Sequence, residues 1–77
     1  MIKRVAVSGA DRHPETGAEY LLESSLQAQG GLEVGETIIV FLIDEPEIEA
    51  DAVVRFFPGW GSGWFGLRTC EWRGIPR

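Results

Sequence analysis

ETIIVFLIDEPEIEADAVVRFFPGWGSGWFGLRTCEW, residues 36–72, holds three strand-like segments separated by two turn signals, and the fold follows from how they read. The first, Glu36–Ile43, is an unbroken apolar run rich in β-branched residues, preceded by Gly35 and closed by Asp44-Glu-Pro46. It is too short for a globular helix and predicts a strand buried on both faces. The second, Glu47–Phe57, alternates: Ile48, Ala50, Ala52, Val54 and Phe56 fall on one side, Glu47, Glu49, Asp51, Val53, Arg55 and Phe57 on the other. That period predicts one core face and one wet face. The third, Trp64–Trp72, sets Phe65, Leu67 and Thr69 against Trp64, Arg68, Cys70 and Trp72. Arginine prefers water, so the Arg68 side is expected outward.

Between the second and third segments, Pro58-Gly-Trp-Gly-Ser-Gly63 has hairpin-loop composition. Glycine supplies positive φ there, and proline ends a ladder. If Phe57 faces Trp64 across the loop, Val53 faces Arg68, Glu49 faces Trp72, and Phe56–Phe65 and Val54–Leu67 pair inside. The expected result is an outward patch of Val53, Phe57, Trp64, Arg68 and Trp72, with Trp60 on the loop above. Tryptophan and arginine are enriched at binding hot spots, so these six are the candidate binding residues.

The chain has 77 residues and a formal net charge of −5. One domain of this size has a core that only just offsets chain entropy, and oligomerisation or a partner would help it. The single cysteine, Cys70, excludes an intrachain disulfide, and one histidine excludes a Cys/His zinc constellation. A reducing, cytoplasmic location is the expectation. Val5-Ala-Val7 is too short for a signal-peptide core, and no apolar run approaches the roughly 20 residues of a membrane span. The acidic balance argues against nucleic acid as a partner. Asp44, Glu45, Glu47, Glu49 and Asp51 form an acidic block that contains no base.

Ile2–Ser8 reads as a first strand, followed by a polar loop over Gly9–Gly17. Two patterns compete over 17–29. Thr16-Gly-Ala-Glu19 matches a capping box, Ala18, Leu21, Leu22 and Leu26 have helical spacing, and Gly30-Gly31 supplies a stop. For a strand, Tyr20, Leu22 and Leu26 share one face. The tail Arg73–Arg77 is expected to be loose. The predicted architecture is a single mainly β domain, a small five-stranded antiparallel SH3-like barrel or strongly curved sheet, with a helix at about 17–29 as one reading of that segment.

Leu32-Glu-Val-Gly-Glu36, entering a hydrophobic strand that is followed by a hairpin and a glycine-bearing last pair, resembles an SH3-like barrel. Together with Ala52-Val-Val-Arg55 and Trp64-Phe-Gly-Leu-Arg68, it is also similar to the second half of a PilZ domain. Cyclic-dinucleotide-binding PilZ domains carry Arg-x-x-x-Arg and Asp/Asn-x-Ser-x-x-Gly signatures. No Arg-x-x-x-Arg precedes these strands, and the nearest approach to the second signature is Glu23-Ser-Ser-Leu-Gln-Ala28. No nucleotide-binding residue is therefore carried over.

Gly61-Ser-Gly-Trp-Phe-Gly66 spells the phosphate-cradling G-x-G-x-x-G. A strand-like segment follows it where that mechanism needs a helix N-terminus, so it reads as a hairpin. Glu47, Glu49 and Asp51 lack the loop that folds oxygens around calcium and read as a solvated strand face that blocks edge pairing. His13 has no nucleophile elbow or orienting base beside it, and Cys70 reads as a small, partly accessible side chain. Neither a cofactor, a metal nor a catalytic residue is expected. The sequence points to a small binding module that uses its Trp/Arg strand face for homodimerisation or for docking a protein or peptide. The alternative is a small enzyme or ligand-binding protein with its site assembled at an oligomer interface.

Overall fold

A computed structural model describes residues 2–74. Its elements are β1 (Arg4–Arg12), β2 (Glu19–Leu21), α1 (Glu23–Ala28), β3 (Thr37–Leu42), β4 (Glu45–Phe56), β5 (Trp64–Arg68) and β6 (Arg73–Gly74). Alternation builds the core: Val5 and Val7 from β1, Leu21 from β2, Ile38 and Val40 from β3, and Ala50, Ala52 and Val54 from β4 are all fully buried. Each such Val, Leu or Ile contributes about 1.5–3 kcal/mol of burial free energy.

The strands close on themselves. β1 pairs antiparallel with β2, β2 with β5, β5 with β4, and β4 with β3. A parallel pairing of β3 with β1, Arg4 beside Ile39 through Val7 beside Leu42, completes the five-stranded barrel. The chain is thus mainly β, as expected, with one parallel pair among its four antiparallel ones. That pair is possible because β2, α1 and the segment to Glu36 supply the crossover that parallel neighbours require. β6 adds a short sixth strand to β4. The interior is narrow at Gly66, where an added Cβ would stand 3.1 Å from Val40 Cγ1 and 3.3 Å from Leu21 Cδ2.

Segment 17–29 contains both a strand and a helix. Glu19–Leu21 is β2, and only Glu23–Ala28 is helical. The Thr16/Glu19 capping box does not form, because Glu19 lies in the sheet; α1 begins after Leu22 with no side-chain cap. Contacts to β1 hold this short helix: Ser25 Oγ accepts from the Ala6 N–H and Gln29 Nε2 donates to the Arg4 carbonyl. Gly30 and Gly31, with φ of +74° and +102°, end it as their sequence suggested.

Three further expectations change. β1 runs on to Arg12, its pairing with β2 irregular between Val7 and Arg12. β3 is buried at Ile38 and Val40, with Ile39 and Phe41 half-buried, so its apolar run covers one core face and one partly screened face. The β4–β5 register is displaced by one residue: Phe56 opposes Trp64, Arg55 Phe65, Val54 Gly66, Val53 Leu67 and Ala52 Arg68. Because side chains alternate, a one-residue slip exchanges the faces. Trp64, Gly66 and Arg68 share the interior-facing side with Phe56, Val54 and Ala52, while Phe65 and Leu67 lie on the opposite face, where Phe65 is nonetheless buried, as expected, beneath the rings of His13, Tyr20 and Phe57. Phe57 lies just past the end of β4, and its N–H donates to the Gly63 carbonyl at 2.8 Å to close the loop.

Candidate functional site

The outward turn of Phe65 creates an aromatic cluster on the outside of the barrel. Tyr20, one position from buried Leu21 and directly opposite Phe65, lies on the same outer face, with ring centroids 5.4 Å apart. His13, in the turn that joins β1 to β2, stacks on Phe57 at 4.2 Å and meets Trp60 at 5.2 Å and Phe65 at 5.5 Å. Its ring is buried, and Nδ1 accepts from the backbone N–H groups of Glu15 and Thr16. The histidine therefore builds the turn and buttresses the rings. Its Nδ1 has no free lone pair for a catalytic base.

Trp60 is 46% exposed at the tip of the β4–β5 loop. Gly61 holds the loop against Tyr20: its φ is +61°, and a Cβ there would lie 2.6 Å from Tyr20 Oη. The Ser62 N–H donates to that same oxygen. Between this loop and the end of β1 lies an open cleft of about 490 Å³, walled by Tyr20, Trp60 and Phe65 and rimmed by Asp11 and Arg12. Gly61-Ser-Gly-Trp-Phe-Gly66 is thus the turn and first residues of a hairpin, as its flanks implied.

Behind Arg12 sits a second feature. Glu19 is fully buried and lies opposite Arg12 across β1 and β2. Its Oε2 is 3.1 Å from Arg12 Nε and 3.8 Å from Arg68 Nε. This counter-ion explains why Arg68 faces inward, against its usual preference for water. The pairing is imperfect: among the described residues neither Glu19 oxygen nor Arg68 Nε makes a hydrogen bond of good geometry. Arg12 and Arg68 both line a polar cleft of about 570 Å³, with Thr16, Thr69 and Glu71.

The six sequence-derived binding residues do not share one face. Trp64 and Trp72 pack against the core cluster, and Arg68 lies over the Trp72 ring at 5.0 Å. Phe57 joins the outer aromatic cluster, Val53 opposes Leu67 on the outer face, and Trp60 stands over the cleft. Sequence reading missed Tyr20, His13, Glu19 and Arg12 as members of these sites. Tyr20 and Glu19 fall in the segment where helix and strand patterns compete, and the expected first strand ends at Ser8, before Arg12.

Cys70 also lies inward of its expected place. It packs on the core cluster, and its sulfur accepts from the Asp51 N–H and from Arg73 Nη1. Two carboxylates of the acidic face of β4 are paired from other strands: Arg4 bonds Glu49, and Arg73 bonds both Glu49 and Asp51. Those bonds, Asp51 first and then Glu49, raise the Arg73 pKa above its ordinary value. Arg73 and Arg77 do have Arg-x-x-x-Arg spacing, at the end of the chain. Arg73 is committed to these carboxylates, and Arg77 lies outside the described residues, as does the rest of the expected loose tail beyond Gly74. Among the described residues no helix is long and apolar enough to cross a membrane.

Comparison of the chain with protein-family models, with curated proteins and with solved structures finds no match to any of them.

Proposed function

We propose that the chain is a binding module that docks a polypeptide segment of a protein partner in the cleft between Tyr20 and Trp60. The observation that supports this reading is the exposure of Trp60 on a loop held by glycine geometry and backed by the His13 ring, which itself packs on Phe57 and Phe65. A rigid aromatic surface loses little conformational entropy on binding, and tryptophan and tyrosine dominate interface energetics. The open cleft, with aromatic side chains from Tyr20, Trp60 and Phe65 and polar groups from Asp11 and Arg12, suits a side chain or short segment rather than a flat surface. The same reading treats the barrel as SH3-like and places the chain in the cytoplasm, where its one cysteine stays reduced.

Selection of a random peptide display library against the wild-type domain and against Trp60→Ala tests it. Peptide families enriched by the wild type and lost with Trp60→Ala are expected. No enrichment, or equal enrichment by the two, would refute the proposal. Sedimentation of both proteins over a range of concentrations tells self-association from capture of a foreign segment: a dimer abolished by Trp60→Ala would assign the surface to a second copy instead.

A further inference from the structure

β5 and β6 lie along the same edge of β4, and their registers disagree. Through β5, Ala52 opposes Arg68, and the Thr69 N–H donates to the Asp51 carbonyl. An uninterrupted ladder would next place Glu71 opposite Glu49. Instead Arg73 opposes Glu49 and Gly74 opposes Ile48, so two residues are looped out between Thr69 and Arg73. Like charges directly opposite on a sheet repel and opposite charges attract, which gives the displaced register its physical reason. The bulge replaces a Glu71/Glu49 opposition with an Arg73/Glu49 pair.

The attachments that hold this strap are mostly polar. Arg73 Nη2 lies 3.0 Å from Glu49 Oε2 and 3.0 Å from Asp51 Oδ1, with the Arg73 side chain 43% exposed. Arg68 Nη1 donates to the Cys70 carbonyl, and the edge N–H of Asp51 is met by a cysteine sulfur where a regular ladder would supply a carbonyl. The apolar contribution comes from Trp72 and Cys70, both half-buried against the core. β6 itself has two residues. The barrel proper is closed without any of it.

We propose that residues 69–74 form an ionic latch that opens independently of the barrel and uncovers the Ile48–Asp51 edge of β4. In this structure the strap is itself the occupant of that edge. Its register is selected by Arg73, and screening or removal of that charge releases it.

Native-state hydrogen exchange resolved by residue tests the latch. The Thr69 amide, bonded to Asp51, reports strap opening, and the Val54 amide, bonded to the Glu36 carbonyl higher on the same strand, reports the barrel. Thr69 is expected to exchange at least about a hundredfold faster than Val54, with little dependence on sub-denaturing urea, as for a local opening. Raising salt from 0.05 to 1 M should speed Thr69 about five- to tenfold while leaving Val54 unchanged, because surface ion pairs are screened over a few ångströms at that strength. Arg73→Gln should reproduce the fast rate at low salt and abolish the salt response, and Arg73→Lys should retain most of it. Thr69 exchanging with the rate and urea dependence of Val54 would show that the strap opens only with the barrel and overturn the proposal. A local opening indifferent both to salt and to Arg73→Gln would overturn its ionic character.

Discussion

Glu19→Ala is the most informative single substitution. The wild-type carboxylate is fully buried between two guanidinium groups, and the consequences of its loss differ for each. Arg12 has a side chain 50% exposed and can turn to water. The Arg68 side chain is 27% exposed, its Nε is buried, and its guanidinium stacks on the Trp72 ring. Removing Glu19 leaves the Arg68 charge without its partner, which costs about 3–5 kcal/mol for a buried pair. For a chain of this length total stability is about 4–12 kcal/mol. The variant should therefore lose about a quarter or more of its stability and be partly unfolded at the lower end of that range. Glu19→Leu with Arg68→Met removes both charges and should recover most of the loss, since desolvation offsets much of what a buried pair gains. Urea titration followed by far-ultraviolet circular dichroism of the wild type, Glu19→Leu, Arg68→Met and the double variant, with Glu19→Ala alongside, gives the stabilities and the coupling energy, expected at about 2 kcal/mol or more. A loss below about 1 kcal/mol in Glu19→Ala, or a double variant as unstable as the sum of its singles, would refute the reasoning.

Trp64→Ala should lower folding stability by about 3 kcal/mol with no change in oligomer mass, because Trp64 packs on the core and on Phe56 at 5.1 Å; chemical denaturation and light scattering on the one variant decide it. Gly61→Ala should destabilise by about 1–3 kcal/mol and expose Tyr20, since it strains a φ of +61° and drives a methyl group into the Tyr20 hydroxyl; the melting temperature and second-derivative tyrosine absorbance report it. Alkali should leave the strap fastened. The folded-state pKa of Arg73 is raised, so its contribution is complete below the unfolded-state value and is lost only as pH rises through the higher folded one. Thr69 exchange, corrected for intrinsic rate, should be flat from about pH 7 to 10, because arginine is charged throughout that range.

Elements with unambiguous patterning were legible from the residues alone. The alternation of Ala50, Ala52 and Val54 is the core face of β4, the apolar run from Thr37 to Leu42 is a strand, and the glycine-rich loop at 58–63 is a hairpin turn. These depend on side-chain period and on backbone freedom, which are local. Where polar groups find partners depended instead on contacts between distant strands. Arg68 was expected outward because an arginine alone prefers water. Glu19, far from it in sequence, supplies a buried counter-ion that reverses the preference and, with Phe57 closing the loop, is consistent with a register one residue away. The same exchange of faces moved Trp64 into the core, brought Phe65 out to meet Tyr20 and His13, and so made the Trp60 cleft. Likewise the partners of the acidic face of β4, Arg4 and Arg73, come from strands more than twenty residues away and are not legible in its local pattern. Local pattern specifies which residues alternate; which of the two faces is inside depends on pairings that only the closed barrel brings together.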